Sequence, residues 1–125
     1  MSEEIVARRR RKEIRETAKS ILLGKVVSHP DFSHEIFINV SGIKEWLNQP
    51  HIHYNEKNEV LLTLPDLLRG SEYIDAVPDP KGRDYIVASH LFKTKICESD
   101  SWIVVNETKW HEYLVHSISD NIPVI

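Results

Sequence analysis

Four of the seven histidines in this 125-residue chain stand where an element should end or where an apolar face is interrupted: His51, His53, His90 and His116. Imidazole is the one side chain whose ordinary pKa lies near neutrality, so two of them can supply a base and an acid in one turnover. That is the chemistry required to cleave RNA without a metal. A base takes the 2′-hydroxyl proton, cations stabilise the charged phosphorus centre, and an acid protonates the leaving oxygen. His51 or His53 is the candidate base and His90 or His116 the candidate acid, with Lys44 and Lys93 stabilising charge.

The stretch "QPHIHY" leaves three readings open for its two imidazoles: a metal clip, proton-transfer groups, or ordinary loop histidines. A catalytic zinc needs about three protein ligands. No HExxH, CxxC or acidic cluster accompanies the pair, so no metal and no cofactor is expected. Tyr54 beside them is a candidate RNA contact. One residue separates the two rings, and in extended backbone that spacing sends them to opposite sides, leaving one to take part.

The elements that must position these groups change period midway. From Glu3 to Leu23 there is neither Gly nor Pro, and Ile14, Ala18, Ile21 and Leu22 share one helical face, with Gly24 as the stop. "KVVSH" and "HEIFINV" read as strands. Ser41 is placed to cap a helix over "GIKEWLN", whose inward stripe is Ile43, Trp46 and Leu47, and Pro50 ends it. Asn58 is placed to cap "EVLLTLPDLLRGSEY", restarted at Pro65 and closed near Gly70. Then "YIDAV", "YIVASHLFKTKI", "SWIVVNET" and "EYLVHSIS" read as an antiparallel meander of about four strands. Helices first and strands after predict an α+β fold, with the helices on one face of the sheet and the other face open for binding. In the longest strand His90, Phe92 and Thr94 share a face, while Lys93 and Lys95 lie on the opposite one, spaced to meet successive phosphates. The tail "NIPVI" reads as an irregular end.

Charge is distributed unevenly. Residues 1–24, the basic N-terminal helix, carry seven Lys or Arg against four Asp or Glu, whereas the single α+β domain expected over 25–125 carries nine against fifteen. The run Arg8, Arg9, Arg10, Arg11 and Lys12 is therefore the one segment with the electrostatic footprint of a nucleic-acid binder. It wraps more than half of its helix, so that half cannot pack all round against a core. Four glycines in total, none in a GxGxxG, GxxxxGK[ST] or GxSxG arrangement, exclude the familiar phosphate-cradling loops and the serine-hydrolase elbow. The single Cys97 excludes an internal disulfide and reads as a small buried or half-buried residue. No apolar run approaches the length of a membrane span, and the start carries no secretory signal, which predicts a cytoplasmic protein without membrane partners.

The run "SGIKEWLNQPHIHYNEKNEVLLTLPDLLRGSEYI", followed by "ASHLFKTKI", "SWIVVNET" and "LVHSISD", resembles the phage- and mobile-element-associated nuclease domains grouped with barnase, EndoU, colicin and RelE-like RNases. The resemblance spans roughly residues 34 to 120. It implies helices followed by a four-stranded antiparallel sheet and a metal-independent, toxin-like endoribonuclease. The implied partners are RNA, tRNA among the candidates, and an inhibitor or a larger phage protein. It places the active centre on the "QPHIHY" turn and His90, with Lys44 and His116 nearby. A non-catalytic nucleic-acid or protein interaction module of a mobile element stays open as the alternative.

Overall fold

The structure, a computed structural model, describes residues 2–123; the last two residues of the expected irregular tail lie outside them. Helix α1 (Glu3–Leu22) leads into strands β1 (Val26–His29) and β2 (Phe32–Phe37). Helices α2 (Val40–Asn48) and α3 (Tyr54–Glu59), a 3-10 turn (Val60–Thr63) and α4 (Leu64–Arg69) follow. Strands β3 (Glu72–Val77), β4 (Ile86–Ile96), β5 (Ser99–Thr108) and β6 (Tyr113–Ser119) complete the chain. The fold is α+β. No helix among the described residues is long and apolar enough to cross a membrane.

The sheet differs from the expected four antiparallel strands. It has six, in the order β1-β2-β6-β5-β4-β3, and is mixed. The meander β3 to β6 is present as read, but the β1–β2 hairpin adds to its β6 edge, where β2 runs parallel to β6 with Phe37 opposite Leu114. Two short strands left alone would expose a row of unpaired backbone groups; docking on β6 satisfies them. The sheet also curls until its two edges meet. His29 Nε2 on β1 lies 2.6 Å from the Ser71 carbonyl that precedes β3. The rings of Phe32 on β2 and Tyr73 on β3 lie 5.4 Å apart.

Inside the curl, Phe92, Ile96, Ile103, Val105, Val115 and Ile118 face the helices. Ile14, Ala18 and Leu22 anchor the second half of α1 in this core, whereas Ile21 points outward. Each buried Ile or Leu contributes about 1.5–3 kcal/mol, enough to hold a helix whose first half is mostly charged. Gly24 takes φ +80° and ends α1, a conformation glycine adopts without a Cβ penalty.

Two expected caps lie elsewhere. Asn39, not Ser41, caps α2, its Oδ1 accepting from the Gly42 N–H at 2.8 Å, so the helix begins two residues earlier than read. Asn58 does not cap a helix; it is buried inside α3. Cys97, read as buried or half-buried, is exposed in the β4–β5 turn.

Candidate functional site

The four histidines singled out above do not converge. His51 and His53 both sit against the first residues of β5. His51 Nδ1 accepts from the His53 backbone N–H at 2.8 Å, so the ring proton is on Nε2, which donates to Ser101 Oγ at 2.8 Å. His53 Nε2 lies 3.0 Å from Ser99 Oγ. The two rings are on the same side because the chain after Pro50 turns at once into α3, with His53 at φ −114° and ψ 64°, rather than continuing extended. Burial holds the His51 pKa below the usual histidine value, opposed by Asp120. Its ring is a buried tie between two elements. Tyr54 is a tie as well: its hydroxyl donates to the Leu47 carbonyl at 2.7 Å, and Lys57 Nζ sits 4.3 Å from its ring centre.

His90 lies on the inner face of β4, opposite Val105, four residues along the strand from Thr94, which is opposite Ser101. At about 3.3 Å per residue that is roughly 13 Å from the His51 contact. Its Nδ1 is 2.9 Å from the Tyr73 hydroxyl oxygen and its Nε2 is 2.8 Å from Glu107 Oε1, within a cluster that includes Phe32 and Tyr113. A proton-transfer scheme pairing His51 or His53 with His90 therefore has no geometric basis.

His116 lies on the opposite, outer face. Val104 is paired with Ser117 and Val105 with Val115, so His116 is the extra residue of a β-bulge in β6. Bulges re-aim side chains; this one turns His116 out onto the side of Ser117. There a groove of about 310 Å³, lined by Arg83, Ser89, Asn106, Ser117 and Lys81 among others, meets a second hollow of about 180 Å³ lined by Ser41, Tyr85 and Thr108 among others. His116, Arg83 and Asn106 border both. Asn106 Oδ1 accepts from Ser89 Oγ at 2.9 Å, which orients its amide. Arg83 Nε is 2.8 Å from Asp79 Oδ2, and the pair braces the β3–β4 loop at the rim. Arg83 holds the Asp79 carboxyl well below the ordinary carboxylate range. Burial lowers the His116 pKa, Arg83 and Lys81 push it the same way, and Glu45 and Asp79 oppose them. At neutral pH the ring is therefore unprotonated, and Glu45 and Asp79 offset only part of what disfavours its protonated form.

The expected cations are divided. Lys44 is exposed on α2. Lys93 and Lys95 are on the outer face, Lys93 opposite Trp102 and 3.7 Å from Asp100. On α1, Arg10 is committed to a two-pronged bond with Glu59 and a third to Glu13, and Arg11 donates to Asn48. Arg8, Arg9 and Lys12 take part in no salt bridge among the described residues. Sequence reading passed over Arg83, Asn106 and Glu45. "PDPKGRD" signals a turn, and nothing in its composition says that the turn folds over a sheet face. Convergent metal-type donors do occur, at His53, Glu56 and Cys97.

No curated protein and no solved structure matches this chain. The family model described as large polyvalent protein-associated domain 3 matches residues 6–115, from the first half of α1 to the middle of β6. That match spans nearly the whole described fold, and the chain belongs to the large polyvalent protein-associated domain 3 family.

Proposed function

We propose that the protein is a metal-independent endoribonuclease whose catalytic centre is the outer-face groove around His116. One observation carries the reading: the bulge in β6 brings an unprotonated imidazole to the point where two hollows meet, beside Arg83 and Asn106. His116 takes the proton of the 2′-hydroxyl as that oxygen attacks phosphorus. Glu45 and Asp79 favour the imidazolium so formed, which returns the proton to the departing 5′-oxygen, leaving a 2′,3′-cyclic phosphate. Arg83 and Lys81 offset the charge that builds on the phosphoryl oxygens. Trp102, half-buried on the same face between Lys93 of β4 and Ser119 of β6, offers a stacking platform for an adjacent base.

A second reading rests on α1. Arg8, Arg9 and Lys12, together with Ile5, Arg11 and Arg15, line an open concavity of about 530 Å³, a surface suited to phosphates without any chemistry. One experiment separates the two. Folded protein is incubated with total tRNA and a generic RNA in EDTA, and the product ends are read. Cyclic phosphate ends that fall by about 100-fold or more in His116→Ala, with Arg83→Ala also impaired and His51→Gln active, are the expected result. Undiminished cleavage by His116→Ala would remove this site. RNA bound but uncut, with affinity falling steeply as salt rises and lost in Arg8→Ala/Arg9→Ala/Lys12→Ala, would replace the nuclease by the binding module.

A further inference from the structure

We propose that His53, Glu56 and Cys97 form a binding site for a thiophilic divalent cation, Zn²⁺ foremost, that clamps the β4–β5 turn to the start of α3. One donor atom from each residue lies within 4.8 Å of the other two. His53 precedes α3 and Glu56 sits in its first turn, three residues on, so both present to one side of the helix. Cys97 reaches them from the turn. In a tetrahedral zinc site, bonds of about 2.0–2.3 Å put donors roughly 3.3–3.8 Å apart. Closing by about 1 Å is within reach of the exposed side chains of Glu56 and Cys97. The His53 ring is held beside the turn by Ser99, the kind of outer contact that steadies a ligating imidazole.

The donor set selects the metal. Thiolate and imidazole favour zinc and disfavour Mg²⁺ or Ca²⁺, which take oxygen ligands. Three protein donors leave a fourth position for water or for a group on a partner. The backbone points the same way. Cys97 and Glu98 have φ of 49° and 65°, the left-handed pair that a two-residue hairpin turn requires and that Asn-Gly fills most easily. Two residues that carry a Cβ hold this conformation in place of Asn-Gly, and the Cys97 thiol projects beside His53.

The test uses untagged, chelator-stripped protein titrated with Zn²⁺ calorimetrically and with Co²⁺ spectroscopically. One equivalent should bind, with a thiolate-to-Co²⁺ charge-transfer band in the near ultraviolet. Zn²⁺ should raise the melting temperature. Cys97→Ser and His53→Gln should each weaken binding by about 100-fold or more, since even outer-contact losses cost 10- to 100-fold. Cys97 is exposed, so Cys97→Ser tests the site without touching the core. Absence of stoichiometric binding at 100-fold metal excess, a Co²⁺ complex without the thiolate band, or unchanged affinity in Cys97→Ser would each overturn the site. Saturation by Mg²⁺ at the same concentration would overturn the assignment to a thiophilic cation.

Discussion

An ammonium group inside a protein must be ringed by acceptors or give up its proton, and Lys57 shows how this chain meets that demand. The side chain is fully buried and in no salt bridge among the described residues. Its Nζ donates to the carbonyls of Trp46 at 2.6 Å and Gln49 at 2.8 Å, and Tyr54 takes the Leu47 carbonyl between them. These are the orphan acceptors of the α2 C-terminus, left without N–H partners because Pro50 stops the helix. A cation there also suits the helix dipole. Trp46 completes the lock, its indole N–H donating to the Lys57 carbonyl at 2.8 Å. Burial, with Arg11 as a lesser cause, lowers the Lys57 pKa to about 8. Between about pH 8 and the unfolded value of 10.5 the unfolded chain binds more protons, so stability should rise with pH across that window. Lys57→Met should cost about 2–4 kcal/mol in urea unfolding, the penalty of two buried carbonyls without donors, and should abolish the alkaline gain. A loss below about 1 kcal/mol, or a gain that survives the substitution, would show that the lysine is not the cap.

At the scale of elements, the contact that fixes the geometry is α2 against β6. A Cβ built on Gly42 would stand 2.1 Å from the Val115 carbonyl oxygen, which is backbone and cannot swing aside. Helix propensity alone would make Gly42→Ala favourable by about 1 kcal/mol. The clash should reverse the sign and cost about 3 kcal/mol or more, read as a lower urea midpoint. Because His116 follows Val115, the variant should also disturb the groove. Much of this layer was legible. The stripe Ile43, Trp46 and Leu47, the stop at Gly24 and the alternation of His90 with Lys93 and Lys95 across β4 all follow from period. The first cap was missed because Asn39 and Ser41 are both good capping residues two positions apart, and only the path of the incoming strand chooses between them. The docking of β2 on β6 and the bulge at His116 were illegible for a different reason. Each depends on pairing between residues far apart in the chain, which leaves no local signature. "QPHIHY" attracted attention as chemistry, yet His51 and Tyr54 turn out to secure a helix end and a strand start. Polar residue types alone do not distinguish ties of that kind from reacting groups.

For the molecule as a whole, the curl of the sheet creates two environments for histidine, an inner one at His29 and His90 and an outer one at His116, with His51 sealed at the start of β5. Two of these, His51 and His116, have pKa values held below the ordinary 6.5 chiefly by burial. For both, the folded protein resists a proton that the unfolded chain accepts. Their contribution to stability is therefore complete above about pH 6.5 and is lost as pH falls through that value toward their folded pKa values. Protonating His51 also removes the Nδ1 acceptor on which the His53 N–H depends. Carboxylates work in a separate window. Asp79, held by Arg83, and Glu59, held by Arg10, have lowered pKa values, so their contributions are lost only at more acid pH, as pH falls below the ordinary carboxylate range. Urea unfolding at pH 7.5 and 5.5 should therefore show a lower midpoint at 5.5 with the slope against denaturant unchanged, since nothing in the argument alters the surface exposed on unfolding. The double variant His51→Gln/His116→Gln should lose part of that difference while keeping the further decline below pH 4. Equal midpoints at the two pH values, or an undiminished difference in the double variant, would mean that neither imidazole carries the acid sensitivity, and would also undercut an unprotonated His116 as the base at neutral pH.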